Sequence, residues 1–186
     1  DLSGAVLREF ATAVARGEPP AEGDPSREVV LVRANSAAEA AHRVSQLGGD
    51  SIPRAFGLPP HDVQVLTPVT AGACGRGALE ARLGSPDTPR PMLVHDAVGR
   101  RWAAVVLVLP PESAGLLSRP LLYSAVTRAS RHLSIVQAAG GAWVDAITST
   151  PPRRRTLLPA LLASYSASGS HSSSSSPSSL SSVSSS

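Results

Sequence analysis

An arginine near the end of an apolar segment is the strongest candidate for chemistry in this chain of 186 residues. Residues 121–131 read Leu-Leu-Tyr-Ser-Ala-Val-Thr-Arg-Ala-Ser-Arg, and Arg128 lies late on a predicted helix, just before a predicted apolar strand. A guanidinium fixed there could be directed at a phosphate, because its planar group combines charge with directed donors. In nucleotide hydrolysis, an arginine from a second domain stabilises transition-state charge. The same pattern also fits an exposed arginine at a helix end, where the helix dipole favours a cation.

The other candidate sites are weaker. The glycine-rich stretch 72–77 (Gly-Ala-Cys-Gly-Arg-Gly) could cradle a phosphate with backbone N–H groups, although an ordinary turn explains it equally well. His95 and Asp96 lack a third ligand at suitable spacing, so no metal site is predicted. Ser124 is not flanked by the glycines of a nucleophile elbow, which argues against a hydrolase triad.

Alternating helix and strand signals must position these residues. Helices are predicted over 2–16, 36–47, 77–83, 118–130 and 142–148, and strands over 28–33, 62–67, 103–109 and 132–137. Ser36 and Glu39 form a capping box for the second helix, and Gly48-Gly49 is predicted to end it. The nearly continuous apolar run 103–109 is typical of a strand covered on both faces. The pattern therefore predicts an α/β domain with a mainly parallel sheet.

Composition restricts the chemistry further. Aromatic residues make up only 3% of the chain, so its core must consist of Ala, Val, Leu and Ile. All 17 basic residues are arginines, and the net charge of +3 is compatible with a nucleic-acid partner. Without a lysine, no Gly-x-x-x-x-Gly-Lys-Ser/Thr phosphate loop can exist in this sequence. A single cysteine, Cys74, excludes an internal disulfide.

The chain divides by composition into two parts. Residues 1–163 carry the α/β pattern, whereas 16 of the 23 residues from 164 to 186 are serine, which predicts a disordered tail. No run of 18 apolar residues and no signal-peptide pattern occur, so an intracellular location is expected, cytoplasmic or in the nucleoid if the source is bacterial.

Four segments resemble a known family. Residues 121–131 are similar to motif VI of superfamily 1 UvrD/RecD-type helicases, which reads Tyr-Ser/Thr-Ala-Val/Leu-Thr-Arg-Ala. Residues 52–57 (Ile-Pro-Arg-Ala-Phe-Gly) and 62–68 (Asp-Val-Gln-Val-Leu-Thr-Pro) resemble the approach to motif IV of RecD-like helicases, and residues 16–20 (Arg-Gly-Glu-Pro-Pro) resemble a turn of that family. The glycines and leucines that follow fit the family's continuation: Gly72, Gly75, Leu79 and Leu83. The resemblance covers about residues 1–163.

The chain departs from this family at motif V. The family reads Thr-Val-His-Lys-Ser-Gln-Gly-Ser-Glu there, and the aligned residues 93–101 keep only Val94, His95 and Gly99. Lysine is replaced by Asp96, which reverses a charge near phosphates. The family's small barrel-like insertion between motifs IV and V also has no counterpart, since only residues 84–92 separate them. In the family, the motif V loop couples the nucleotide state to the DNA strand. The replaced residues at 96–98 and 100–101 therefore argue against this coupling here.

The resemblance implies a RecA-like domain, the second of two in an ATP-dependent DNA helicase with a role in DNA repair. ATP and Mg²⁺ would be bound mainly by a partner RecA-like domain that supplies Walker A, and Arg128 would reach across as an arginine finger. The resemblance implies further nucleotide-binding residues at Tyr123, Thr127 and Gly99. It implies contacts with single-stranded DNA at Thr67, Pro68, Gly72, Arg76 and His95. The chain by itself should not hydrolyse ATP.

A second interpretation comes from the departures. The chain is then a degenerate, non-catalytic helicase remnant that binds nucleic acid weakly or serves as an interaction module. A Walker A domain encoded in frame would favour the enzyme, and its absence would favour the remnant.

Overall fold

A parallel five-stranded sheet forms the centre of the computed structural model, which describes residues 4–19, 26–84, 88 and 90–150. The strands are β1 (Val29–Arg33), β2 (Val63–Thr67), β3 (Met92–Leu93), β4 (Trp102–Leu109) and β5 (Ala129–Gln137). They lie in the order β1-β5-β4-β2-β3, and each neighbouring pair is parallel. The helices are α1 (Ala5–Arg16), α2 (Ala37–Gln46), α3 (Ile52–Phe56), α4 (Arg76–Leu83), α5 (Arg119–Val126) and α6 (Ala142–Thr148). The predicted α/β class with a mainly parallel sheet flanked by helices is confirmed.

Two apolar layers cover the sheet, one on each face. Along β4, Val105, Leu107 and Leu109 face the layer that contains α1, α5 and α6. The alternate residues Ala104, Val106 and Val108 face the layer that contains α2, α3 and α4. This alternation follows from the two-residue period of a strand. It explains why the sequence 103–109 has to be apolar throughout.

The second predicted helix ends at Gln46, within one residue of the prediction, but the glycine pair Gly48-Gly49 does not stop the helical course of the chain. The chain continues from α2 through a π-helical turn, Leu47–Ser51, into α3, and Gly57 ends α3 with a left-handed φ of 59°. Gly48 is buried, and a Cβ there would lie 3.1 Å from Cγ2 of Val65 on β2. The glycine is therefore needed for close helix–sheet packing rather than for stopping the helix.

The capping box is confirmed in part. Ser36 Oγ accepts a hydrogen bond from the Glu39 N–H at 3.1 Å, as predicted. The Glu39 carboxylate accepts from the N–H of Asn35 at 2.9 Å instead of reaching that of Ser36. This bond and the Asn35 side chain hold the pKa of Glu39 below its usual value.

The helix predicted over 118–130 ends early, at Val126. Ser118 caps its beginning by accepting from the Leu121 N–H at 3.4 Å. At the other end, the Trp102 N–H donates to the Arg128 carbonyl at 2.9 Å, and Ala129 already pairs with Trp102 in the sheet. The pairing with β4 thus begins the strand three residues earlier than the apolar pattern indicated.

Arg119, the first residue of α5, joins three helices of one layer. Its Nε donates to the Ile147 carbonyl at 2.7 Å, and its Nη2 donates to the Ser149 carbonyl at 2.7 Å, at the end of α6. Gly17, which ends α1 with a φ of 79°, lies against the same guanidinium: a Cβ there would be 2.4 Å from Nη2. α1, α5 and α6 therefore meet at one arginine.

One prediction falls on residues that the structure does not describe. The boundary between a domain over 1–163 and a tail over 164–186 lies outside the described residues. Among the helices that are described, none is long and apolar enough to cross a membrane.

Candidate functional site

The Arg128 side chain is half-buried and held by four hydrogen bonds. Nε donates to the Ser124 carbonyl at 2.9 Å, and Nη2 donates to the Thr127 hydroxyl at 3.0 Å. Nη1 donates to the Arg100 carbonyl at 3.2 Å and the Ala97 carbonyl at 3.5 Å. A guanidinium has five N–H donors, so one N–H of Nη2 is not used in these bonds. The orientation of the group is thus fixed while one donor remains.

The segment 97–100 binds Arg128 through its backbone. The Arg100 N–H donates to the Ala97 carbonyl at 3.1 Å, which closes a turn, and Gly99 takes a left-handed φ of 82°. This turn brings two carbonyl oxygens to the guanidinium. Any residue can supply a carbonyl, so this contact does not depend on which side chains occupy the segment 97–100. The sequence pattern gave no signal for it.

Thr127 links the end of α5 to the guanidinium. Its hydroxyl donates to the Tyr123 carbonyl at 2.8 Å and accepts from Arg128. The Tyr123 side chain is 44% exposed, one turn earlier on the helix. The four residues predicted to bind nucleotide, Gly99, Tyr123, Thr127 and Arg128, therefore lie around the end of α5, where β4 and β5 begin.

The residues predicted to bind DNA lie elsewhere, at the opposite end of the sheet. Thr67 is the last residue of β2, half-buried Pro68 follows it, exposed Gly72 lies in the next loop, and exposed Arg76 begins α4. The sheet thus separates the two predicted sets, because β2 and β4 run parallel and the first set lies where β4 begins.

Thr67 itself shapes the loop rather than reaching the surface. Its side chain is fully buried, and its hydroxyl donates to the Cys74 carbonyl at 2.8 Å. The same oxygen accepts from the Val69 N–H at 3.3 Å. A Cβ on Gly75 would lie 2.6 Å from the Thr70 carbonyl oxygen, so the loop is tightly wound.

A carboxylate that the sequence did not single out lies against this loop. Glu112 follows β4, and its Oε1 is 2.9 Å from the position of a Cβ on Gly72. Burial, with the Glu112 charge as a second cause, raises the pKa of the Cys74 thiol to about 11. A negative charge here opposes a phosphate at Gly72. The loop at 72–77 is therefore a poorer phosphate cradle than its glycines indicated.

His95 lies at the same end of the sheet as Thr67. It follows Leu93 by two residues, and Leu93 is the register partner of Thr67. The His95 ring is exposed, and its Nε2 is 3.4 Å from the Asp96 carboxylate. Within the described ranges, no three His, Cys, Asp or Glu side chains come close enough together to hold a metal ion.

Comparisons with known proteins agree with the resemblance seen in the motifs. Residues 92–136, which include the turn at 97–100 and Arg128, match the sequence model of the UvrD-like helicase C-terminal domain family. RecBCD enzyme subunit RecD from two strains of Mycobacterium tuberculosis, CDC 1551 and H37Rv, is 39% identical over 72 residues. This stretch is 38% of the present chain but only 12% of RecD.

The similar solved structures include the C-terminal domain of a possible DNA helicase from Lactobacillus plantarum, with 14% sequence identity and a TM-score of 0.49. The similarity covers 74% of this chain and 86% of that one.

Proposed function

We propose that this chain is the C-terminal domain of a UvrD-like helicase and forms half of an ATP-driven DNA motor, in which Arg128 acts as an arginine finger. The observation that supports this proposal is the geometry of Arg128. Four hydrogen bonds fix its guanidinium and leave one N–H of Nη2 available. A fixed donor loses little entropy when it meets a developing charge, which is how preorganised groups accelerate phosphoryl transfer.

ATP and Mg²⁺ would be held mainly by a partner RecA-like domain. The sequence lacks lysine, so the phosphate-cradling loop has to come from that partner. Tyr123, Thr127 and Gly99 surround Arg128 and would contact the nucleotide from this side. In this role Thr127 is a positioning residue, because its hydroxyl binds both the helix end and Nη2 of Arg128.

Single-stranded DNA would run along the carboxyl ends of the strands. Arg76 and His95 are exposed there and can reach phosphates, while Pro68 and Gly72 belong to the adjoining loop. Thr67 would contribute indirectly, by holding the shape of that loop. The Glu112 carboxylate would keep a phosphate away from Gly72 and towards the exposed cations.

The experiment needs a protein that carries this domain together with its Walker A partner. Arg128→Ala should lower kcat for ATP by about 10³–10⁵, the range for arginine fingers, with little change in ATP binding. Arg128→Lys should restore little of that activity, because an ammonium cannot reproduce the planar group.

Arg131→Ala is the matched control, since Arg131 is exposed on β5, three residues further on. It should leave kcat nearly unchanged. Circular dichroism and melting temperatures of all variants separate a catalytic loss from a folding defect. Equal kcat for the Arg128→Ala and Arg131→Ala variants, both folded, would remove Arg128 from the mechanism.

A second candidate function, the non-catalytic remnant, is favoured by a specific observation at motif V. Asp96 stands where the family has lysine, and its carboxylate is exposed beside His95. A remnant would bind a labelled oligonucleotide weakly, and addition of a Walker A domain would not give DNA-stimulated ATP turnover. The motor would give that turnover under the same conditions.

A further inference from the structure

Two turns lie side by side where β2 and β4 end. These strands are parallel neighbours in the sheet, so the loop at 68–75 and the turn at 110–117 leave the same end of it. The turns meet at Glu112, whose Oε1 lies 2.9 Å from the position of a Cβ on Gly72. Gly72 is exposed and has no side chain, so the backbone of the loop is accessible beside the carboxylate.

Hydrogen bonds fix the backbone of the turn at 110–117. The Ser113 hydroxyl donates to the Pro110 carbonyl at 2.6 Å, and the Leu116 N–H donates to the Ser113 carbonyl at 2.8 Å. Ser113 is fully buried, whereas Glu112 and Leu116 on either side of it are exposed. The turn therefore presents a carboxylate and an apolar side chain to the solvent from a fixed backbone.

The Glu112 carboxylate is not paired with a cation. Among the residues that the structure describes, no arginine or histidine forms an ion pair with it, although Arg76 follows Gly72 by only four residues. The Arg76 side chain is also exposed and has no ion-pair partner in the same part of the chain. A negatively charged acceptor and a positively charged donor therefore border one loop without binding each other.

Single-stranded DNA carries groups that fit both charges. Its phosphates bind arginine, whereas the exocyclic amino groups of its bases can donate to a carboxylate. Because a carboxylate repels phosphate, Glu112 favours a strand that turns its base edges, rather than its backbone, towards Gly72. The exposed Leu116 side chain offers apolar surface to the face of an unstacked base.

We propose that Glu112 contacts the bases of single-stranded DNA and gives the domain a base preference. Its carboxylate accepts a hydrogen bond from an exocyclic amino group, while Leu116 contacts the base and Arg76 a phosphate. This inference rests on the proposed path of DNA along the carboxyl ends of the strands. Cytosine is preferred to thymine or uracil, because these two bases have a carbonyl oxygen where cytosine has its amino group.

The test uses the full chain and two labelled oligonucleotides of equal length, oligo-deoxycytidine and oligo-deoxyuridine, at pH 8 and low salt. The two bases differ in their Watson–Crick edges, and neither carries the methyl group of thymine, which Leu116 could contact. Fluorescence anisotropy should give a dissociation constant about five-fold lower for oligo-deoxycytidine, as expected for one exposed hydrogen bond to a charged group.

Glu112→Gln should abolish this preference, because an amide both donates and accepts and can therefore pair with either base. Its affinity for oligo-deoxyuridine should rise, since the repulsion of phosphate is lost as well. Glu9→Gln is the matched control: it removes the same charge from an exposed position on α1 and should keep the preference. Leu116→Ser should weaken the binding of both oligonucleotides by about three-fold and also keep the preference.

Equal binding of both oligonucleotides by the unaltered chain would overturn the base contact and leave the proposed DNA path intact. The same conclusion would follow if Glu112→Gln tightened the binding of both by one factor, because Glu112 would then only repel phosphates. If the chain bound neither oligonucleotide at low salt, the DNA path of the proposed function would be wrong as well. Circular dichroism of each variant shows whether a change in binding reflects a loss of folding.

Discussion

Thr67→Val is predicted to lower the stability of the domain, although the family resemblance of its segment implied contact with DNA. Valine has nearly the same shape as threonine, so packing is preserved and only the hydroxyl is lost. That hydroxyl donates to the Cys74 carbonyl at 2.8 Å and accepts from the Val69 N–H at 3.3 Å, and all of it is buried. Both backbone groups would lose this partner inside the protein.

The size of the effect follows from these two bonds. A buried polar group left without a partner costs about 1–3 kcal/mol, and the longer bond to Val69 belongs at the low end. The free energy of unfolding should therefore fall by about 2–4 kcal/mol. In a domain of this size, that corresponds to a melting temperature lower by roughly 4–16 °C.

Urea unfolding followed by circular dichroism measures this difference. Thr70→Val is the matched control, since Thr70 lies three residues away in the same loop but is exposed. Its effect should be within about 0.5 kcal/mol of zero, as for ordinary surface substitutions. If the two variants unfold at the same urea concentration, the hydroxyl does not hold the loop. DNA contact would then be the better explanation of Thr67.

The remaining predictions use other parts of the fold. Gly17→Ala should destabilise by more than Gly57→Ala in thermal melts: both glycines have positive φ, but only at Gly17 would a Cβ meet Arg119, 2.4 Å away. Equal melting temperatures of these two variants would contradict that contact. Cys74 should react with a disulfide reagent at pH 8 only as fast as the domain opens, because its raised pKa of about 11 keeps the buried thiol protonated. Reaction in native buffer as fast as in urea would disprove this. Deleting residues 164–186 should leave the melting temperature nearly unchanged, since this serine-rich stretch has little apolar surface to bury, and a loss of several degrees would show that it packs.

The sequence predicted the elements well where one physical signal dominated. β4 begins within one residue of the prediction and α6 has the predicted bounds, because the one is continuously apolar and the other follows a glycine pair. The role of Arg128 stays a prediction, and the residue lies two positions beyond the end of α5 rather than late on the helix, as the pattern had indicated.

Contacts between segments that are far apart in the chain could not be predicted from a local sequence pattern. The Ala97 and Arg100 carbonyls that bind Arg128 carry no residue-type signal, and Glu112 reaches Gly72 only because β2 and β4 are neighbours. The pairing of β1 with β5 joins strands about 100 residues apart, which a single sequence does not specify. Gly48 was misread because close packing against β2, not helix termination, favours a glycine there.

The arginine that joins three helices also divides the domain by local stability. Arg119 ties the end of α6 to the beginning of α5, beneath Gly17 at the end of α1, so these helices have to separate from one another to unfold. The opposite layer contains a π-helical turn with two glycines. Glycine loses more conformational freedom on folding than other residues do, so this turn contributes less to local stability than an α-helical turn. Partial opening should therefore begin in the layer that contains α2 and α3. The amide protons of α5 should exchange with solvent with an opening free energy closer to that of global unfolding.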